Sequence, residues 1–317
     1  MELVVIVLLF SAGLLLIVKG GDWFLDGAVW IAETSGIPHF IVGATVVSVA
    51  TTLPELTVSI TGVLRGEVDL AVGNAVGSVT ANLGLILGIS VLCIPAAVDR
   101  RFAPKAVLML CGAALLTVLC RNGSISLLPA LFLLVIFSMY LWSNLRDAGQ
   151  GMAAERKKRA RGGGISRQKM LSKLTMFFLG LGGIIGGSRL LIDYGSELAL
   201  RLGVPAGVIG VTLVAIGTSL PELVTTLAAI AKKETAMSIG NIVGANVIDL
   251  TLVLPVCAAV GGGRLTIGPQ TTALDLPMCL AVGAIAMLPP LAAGRFYRWQ
   301  GFLLLGMYVV YLAVLMT

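Results

Sequence analysis

The sequence predicts an all-α membrane protein of ten transmembrane helices, arranged as two inverted five-helix repeats with proline-broken helices at the midplane. Three observations carry this. Of 317 residues, 57% are hydrophobic and 12% charged, against about 45–50% and about 25% in soluble globular chains, and the mean hydropathy is +1.00. The apolar residues gather in ten blocks, each long enough to approach the roughly 20 residues that a helix needs to cross a bilayer. A motif around Glu55 returns 167 residues later around Glu222.

The first five blocks cover about 3–24, 38–64, 68–95, 104–120 and 125–144. Met1-Glu2-Leu3 lacks the basic start of a cleaved signal peptide, so the first block is expected to stay as a helix. Residues 145–170 form a basic linker: Arg146, Arg156, Lys157, Lys158, Arg159, Arg161, Arg167 and Lys169, with Lys173 just beyond, face only Asp147 and Glu155. Such a run can bind nucleic acid, but between two hydrophobic blocks it marks a cytoplasmic loop. Gly162-Gly163-Gly164 reads as flexible linker. Five further blocks follow at about 171–192, 204–231, 235–260, 270–290 and 298–316. The chain thus divides into a first repeat (1–144), the linker (145–170) and a second repeat (171–317), together one transmembrane unit. Five crossings on each side of a cytoplasmic linker put both termini outside. Arg100, Arg101, Lys105, Lys232, Lys233, Arg295 and Arg298 then fall inside, against Arg65, Arg121, Arg189, Arg201 and Arg264 outside. The bias has the sign that the positive-inside rule requires.

Composition excludes several chemistries. His39 is the single histidine, so neither a His-based zinc site nor a Ser-His-Asp triad can be assembled. Cys93, Cys111, Cys120, Cys257 and Cys279 lie in apolar stretches without a C-x-x-C pair and read as small hydrophobes. No enzyme is expected, and no cofactor.

The repeat is gapless. Gly43-Ala-Thr-Val-Val-Ser-Val-Ala-Thr-Thr-Leu-Pro-Glu55 aligns with Gly210-Val-Thr-Leu-Val-Ala-Ile-Gly-Thr-Ser-Leu-Pro-Glu222. At the same offset Gly73-Asn74 meets Gly240-Asn241, Gly77 meets Gly244, and Asn82 meets Asp249. An odd number of crossings per repeat inverts the second copy, the architecture of secondary transporters. Pro54 and Pro221 sit mid-span, where proline removes an N–H and clashes one turn back. The carbonyls of Ala50 and Gly217 should then lose their helical partners, which hydrocarbon tolerates only if something else satisfies them. A bare cation would.

Glu55 and Glu222 are mid-membrane carboxylates, whose default reading is an ion or proton pathway. Ser48, Thr51, Glu55 and Ser59 recur at intervals of three or four on one helix face. Thr218, Glu222 and Thr226 repeat the stripe, with Thr52 and Ser219 flanking. On the next helices Asn74, Ser78 and Asn82 are spaced by four, as are Asn241, Ala245 and Asp249. Nearby glycines (Gly73, Gly77, Gly84, Gly240, Gly244) permit close helix approach. Carboxylate, amide, hydroxyl and freed carbonyl are all hard oxygen donors, suited to calcium, sodium or magnesium. Calcium and sodium competing for the same oxygens favour exchange over cotransport.

Thr51-Thr-Leu-Pro-Glu55 with Gly73-Asn-Ala-Val-Gly-Ser78, and Gly217-Thr-Ser-Leu-Pro-Glu222 with Gly240-Asn-Ile-Val-Gly-Ala245, resemble the two alpha repeats of the calcium/cation antiporter superfamily. The likeness is greatest to its prokaryotic sodium/calcium exchangers and spans essentially the whole chain. It implies alternating access in a multi-pass protein of the prokaryotic inner membrane, several sodium ions exchanging for one calcium, with the first and sixth helices as a sliding gate. It implies as ion ligands Ser48 (through its carbonyl), Thr51, Glu55, Ser78 and Asn82 from the first repeat. From the second it implies Ala215 (through its carbonyl), Thr218, Glu222 and Asp249, with Thr52 and Ser219 beside them. Two departures bear on coupling. The first motif reads Ala50-Thr51-Thr52 where the family usually has Gly-Thr-Ser, and Ala245 replaces a usual serine, removing a hydroxyl ligand for sodium. An aspartate at the place of Asp249 also occurs in potassium-dependent members. Proton/cation antiport or potassium-dependent sodium/calcium exchange is therefore the alternative reading. The partners expected are the two ions and the lipid bilayer, with no nucleic acid.

Overall fold

The apolar blocks become helices, several of which run past the block ends: the first reaches Ser35, the fifth Arg159 and the sixth Arg201. The computed structural model describes residues 3–159, 167–201, 217 and 219–315. The helices are α1 (Leu3–Ser35), α2 (His39–Leu64), α3 (Val68–Cys93), α4 (Phe102–Leu119) and α5 (Leu127–Arg159). After the linker come α6 (Arg167–Arg201), α7 (Leu220–Ala231), α8 (Thr235–Val260), α9 (Thr271–Ala293) and α10 (Arg298–Leu315). Among the described residues nine of these are long and apolar enough to cross a membrane, and α7 is a shorter apolar helix. Among the described residues the elements are helices apart from one short strand pair, and apolar side chains such as Leu15, Phe132, Trp142, Phe178 and Phe302 are exposed, as an integral membrane protein requires.

Helix extends into the basic segment 145–170 from both sides. The backbone of α5 continues to Arg159 and α6 begins at Arg167, because Ala, Glu, Lys, Arg and Met are strong helix formers and propagate a helix beyond the bilayer. The glycine run 162–164 lies outside the described residues.

The helix breaks also fall differently. Pro54 sits inside a continuous α-helical stretch, Ser48–Leu64, and the departure from α geometry is a π-helical turn upstream, Gly43–Val47. A local π adjustment is one way for a membrane helix to carry proline while its backbone groups stay paired. Pro221 is the second residue of α7, where its missing N–H costs nothing. Further π-helical turns begin at Asn82 in α3 and at Asp249 in α8. These are equivalent positions of the sequence repeat, and π turns inside α-helices concentrate at functional sites.

Close packing fixes the framework. Between α2 and α8, a Cβ at Gly43 would run into the carbonyl of Met237, and one at Gly240 into that of Phe40. Between α1 and α6, a Cβ at Gly20 would come within 2.8 Å of the Gly180 carbonyl and one at Gly187 within 2.7 Å of Gly13 O. Two larger apolar cores result, besides a small cluster of Ala81, Tyr308 and Tyr311. The larger joins α2, α3, α4, α8 and α9 through residues such as Phe40, Leu83, Phe102, Val247 and Met287. The smaller joins α1, α2 and α6 through Phe24, Val47 and Phe177.

The two halves are tied at both ends of the bundle. At one end β1 (Ser124–Ser126) pairs antiparallel with β2 (Arg264–Thr266), linking the α4–α5 and α8–α9 loops. At the other, Val98 N–H donates to Gly294 O at 3.0 Å and Phe296 N–H to Ala96 O at 2.9 Å. Ion pairs gather at that second end: His39 with Glu234 at 2.6 Å, Lys232 with Asp26 at 2.7 Å, and buried Lys105 with Asp147.

Candidate cation-binding site

Where α2 and α8 cross, with α3 and α7 beside them, polar side chains are buried without the usual partners. Glu55 on α2 and Glu222 on α7 are both 0% exposed, and Asp249 on α8 is 1% exposed. Both carboxylate oxygens of Glu55, both of Asp249 and Oε2 of Glu222 have no hydrogen-bond donor among the described residues. The Asn82 Oδ1, Ser78 Oγ, Ser219 Oγ and Thr226 Oγ1 atoms are likewise buried and unpaired. No Lys or Arg ion-pairs with any of the three carboxylates among the described residues.

The remaining hydrogen bonds fix the walls. Thr52 Oγ1 donates to Glu222 Oε1 at 3.4 Å, joining the first sequence repeat to the second. Thr51 Oγ1 lies 3.3 Å from Asn241 Oδ1 and 3.4 Å from Ser48 O, and Asn241 Nδ2 donates to Thr225 Oγ1 at 3.1 Å. Asn74 Nδ2 donates to Glu55 O at 3.2 Å and to Ser59 Oγ at 3.0 Å, locking α3 onto α2 one turn from the carboxylate. Asn82 Nδ2 donates to Asn246 Oδ1 at 3.1 Å. Tyr140 of α5 reaches in to donate to the Ala44 carbonyl, inside the π turn of α2.

Of the residues singled out in the sequence, Thr51, Thr52, Glu55, Ser78, Asn82, Glu222 and Asp249 carry these contacts or unpaired oxygens. Ser48 is buried, its hydroxyl donating to Thr45 O at 3.2 Å while its carbonyl faces Thr51. Ser219 precedes α7 with its hydroxyl buried and unpaired. Ala215 and Thr218 lie outside the described residues. Among those described, no three His, Cys, Asp or Glu side chains converge on the spacing of one metal ion, so the neutral oxygens would complete any coordination shell.

Sequence reasoning passed over two features. Asn246, 0% exposed, stands three residues before Asp249, a helical spacing that would have found it. Asp275 is a further intramembrane acid, on α9, 3% exposed and accepting from Tyr311 Oη at 3.0 Å. A carboxylate inside the 270–290 block was signal enough. Beside the main site, a cavity of about 250 Å³ is lined by Leu53, Pro54, Ser188, Arg189, Gly217 and Pro221. It reaches the two proline turns from the α6 side.

The cluster is one of buried hard oxygens drawn from both halves of the chain. A family model described as sodium/calcium exchanger protein matches residues 5–146 and 172–317. The chain belongs to the sodium/calcium exchanger family. Members are membrane transporters, cation antiporters rather than enzymes. The inner membrane protein YrbG of Escherichia coli is 34% identical, with 97% of this chain and 95% of the relative covered. The sodium/calcium exchanger MaX1 of Methanosarcina acetivorans is 27% identical, with 97% of each covered. Among solved structures, the sodium-calcium exchanger NCX_Mj soaked with sodium and strontium superposes with a TM-score of 0.82 at 30% identity, covering 98% of this chain and 99% of that one. The same exchanger soaked without sodium or calcium gives 0.82 over 99% of this chain and all of that one.

Proposed function

We propose that this chain exchanges sodium for calcium by alternating access at a midplane site held between Glu55 and Glu222. The observation that carries the reading is the pair of fully buried glutamates, one from each sequence repeat, with three of their four carboxylate oxygens lacking a donor among the described residues. An isolated buried carboxylate is costly unless a positive charge accompanies it. Here the complement is the cargo. Two carboxylates neutralise one calcium ion, which takes six to eight oxygens at roughly 2.3–2.6 Å, or two sodium ions in its place. Thr51, Thr52, Ser78, Asn82, Ser219, Asp249, Thr218 and the carbonyls of Ser48 and Ala215 supply the neutral or additional oxygens. Since the two loads use the same oxygens, one must leave before the other binds, and the fluxes are coupled.

The architecture of the proposal is two inverted five-helix repeats (1–144 and 171–317) around the linker, in a prokaryotic inner membrane with both termini outside. It is supported by the 167-residue repeat, by π turns starting at the equivalent Asn82 and Asp249, and by repeat-to-repeat ties at opposite ends of the bundle. The glycine-lined α1–α6 pair packs as one body, suited to slide as a gate across the site. One observation favours a second coupling: Asp249 stands where the first repeat has Asn82, and Ala245 offers no hydroxyl, which fits potassium- or proton-dependent exchange.

Calcium uptake into vesicles reconstituted with the purified protein, with sodium, potassium and proton gradients imposed one at a time, separates these. The sodium gradient alone is expected to drive uptake. Uptake driven only by a proton gradient would replace sodium as the coupling ion.

A further inference from the structure

We infer that Asn246 is a positioning residue that turns the Asn82 amide so that its oxygen, not its NH₂, faces the transported cation. The inference rests on the proposed cation site and extends it to a residue outside the ligand set. Asn82 and Asn246 are both 0% exposed. Asn82 Nδ2 donates to Asn246 Oδ1 at 3.1 Å, across the contact between α3 and α8. With that bond made, Asn82 is left with a buried Oδ1, and Asn246 with a buried Nδ2, that have no hydrogen-bond partner among the described residues.

An amide is two-faced. Turned one way it offers a cation an oxygen with two lone pairs, and turned the other way two N–H donors that repel it. A neutral amide ligand therefore needs something to choose its orientation, and an acceptor on the NH₂ side does so. A carboxylate needs no such device, since either oxygen will serve.

The repeat bears this out on its other half. The counterpart of Asn82 is Asp249, and the counterpart of Asn246 is Val79. Val79 is 0% exposed and has no polar side-chain atom. Just as α8 packs on the π turn that starts at Asn82, α3 packs on the π turn that starts at Asp249. The orienting amide is present where the ligand is an amide and replaced by a methyl-bearing side chain where the ligand is a carboxylate. A packing role alone would give no reason for this pairing.

The test is equilibrium binding of radioactive calcium to purified protein, with monodisperse elution as the check on folding. Asn246→Leu keeps the volume and removes the acceptor. It should weaken calcium binding about ten-fold, the effect of one lost buried hydrogen bond on a ligand group. In an Asn82→Asp background, where either oxygen can face the ion, the same substitution should weaken binding less than about two-fold. Equal losses in both backgrounds, or no loss in the single variant, would overturn the assignment. If Asn82→Asp does not bind calcium, Asn246→Asp decides instead. Its carboxylate still accepts from the Asn82 NH₂, so binding should stay within about three-fold of wild type. A loss as large as that of Asn246→Leu would overturn the assignment. Wild-type protein that binds no calcium would instead contradict the exchange reading on which the inference stands.

Discussion

Glu55 presents both carboxylate oxygens bare in the protein interior, and Asp249 does the same, yet the two need not have the same role. Glu55 and Glu222 together already match the charge of one calcium ion. A third negative charge beside them would be desolvated and repelled, so Asp249 should serve calcium as a neutral oxygen ligand, carrying a proton. Asn82, its repeat counterpart, fills the equivalent place with an amide. Asp249→Asn is therefore expected to retain calcium exchange at no worse than a few-fold loss, while flattening any pH or potassium dependence, because it removes the titratable group. Initial rates of calcium uptake across a pH series check this. If Asp249→Asn is as inactive as a glutamate substitution, Asp249 is a charged ligand and the cavity holds more cations.

At the scale of helices, the α2–α8 crossing sets the distance between the walls of the site. Any side chain at Gly240 would collide with the Phe40 carbonyl, which is backbone and cannot turn away. Gly240→Ala should therefore lower the unfolding temperature and the yield of monodisperse protein. Gly306→Ala on α10, where a Cβ meets nothing within 4 Å, should change neither. Thermal unfolding of the detergent-solubilised variants compares them. A second prediction concerns the Lys105–Asp147 pair, which joins α4 to α5 with the lysine fully buried. Lys105→Met leaves Asp147 without its partner and should cost about 3–5 kcal/mol, with much of that restored in Lys105→Met/Asp147→Leu.

Helix positions were largely legible in the sequence because hydropathy reports burial in lipid directly, and block edges coincide with turns such as Gly36–Pro38 and Gly66–Glu67. What hydropathy could not report was where a helix changes pitch. Pro54 reads as the break, but it sits inside a continuous α stretch, and the π turn lies upstream at Gly43–Val47. Likewise α5 runs on to Arg159 because charged helix formers are silent in a search for apolar runs. In the site, the acids and the hydroxyl stripe were readable from spacing on single helices. The Thr52–Glu222, Thr51–Asn241 and Asn82–Asn246 contacts were not, because each joins helices far apart in sequence.

For the whole molecule, the loops tie the halves together at both ends while the site lies between them. The α3–α4 and α9–α10 loops meet at one end and the β1–β2 pair closes the other. In the proposed topology the first of these ends is cytoplasmic. In a background lacking the five native cysteines, Lys158→Cys should react with impermeant reagent only from the cytoplasmic side. Labelling from outside would invert the molecule and reverse the direction of every gate. The central claim, that two glutamates hold calcium in exchange for sodium, is tested most directly by sodium-driven calcium uptake into vesicles containing wild type, Glu55→Gln or Glu222→Gln. Uptake is expected in wild type and should fall to the background of empty vesicles in both variants, with each protein still inserted and monodisperse. Calcium exchange persisting in either correctly folded variant would contradict a site built on the pair.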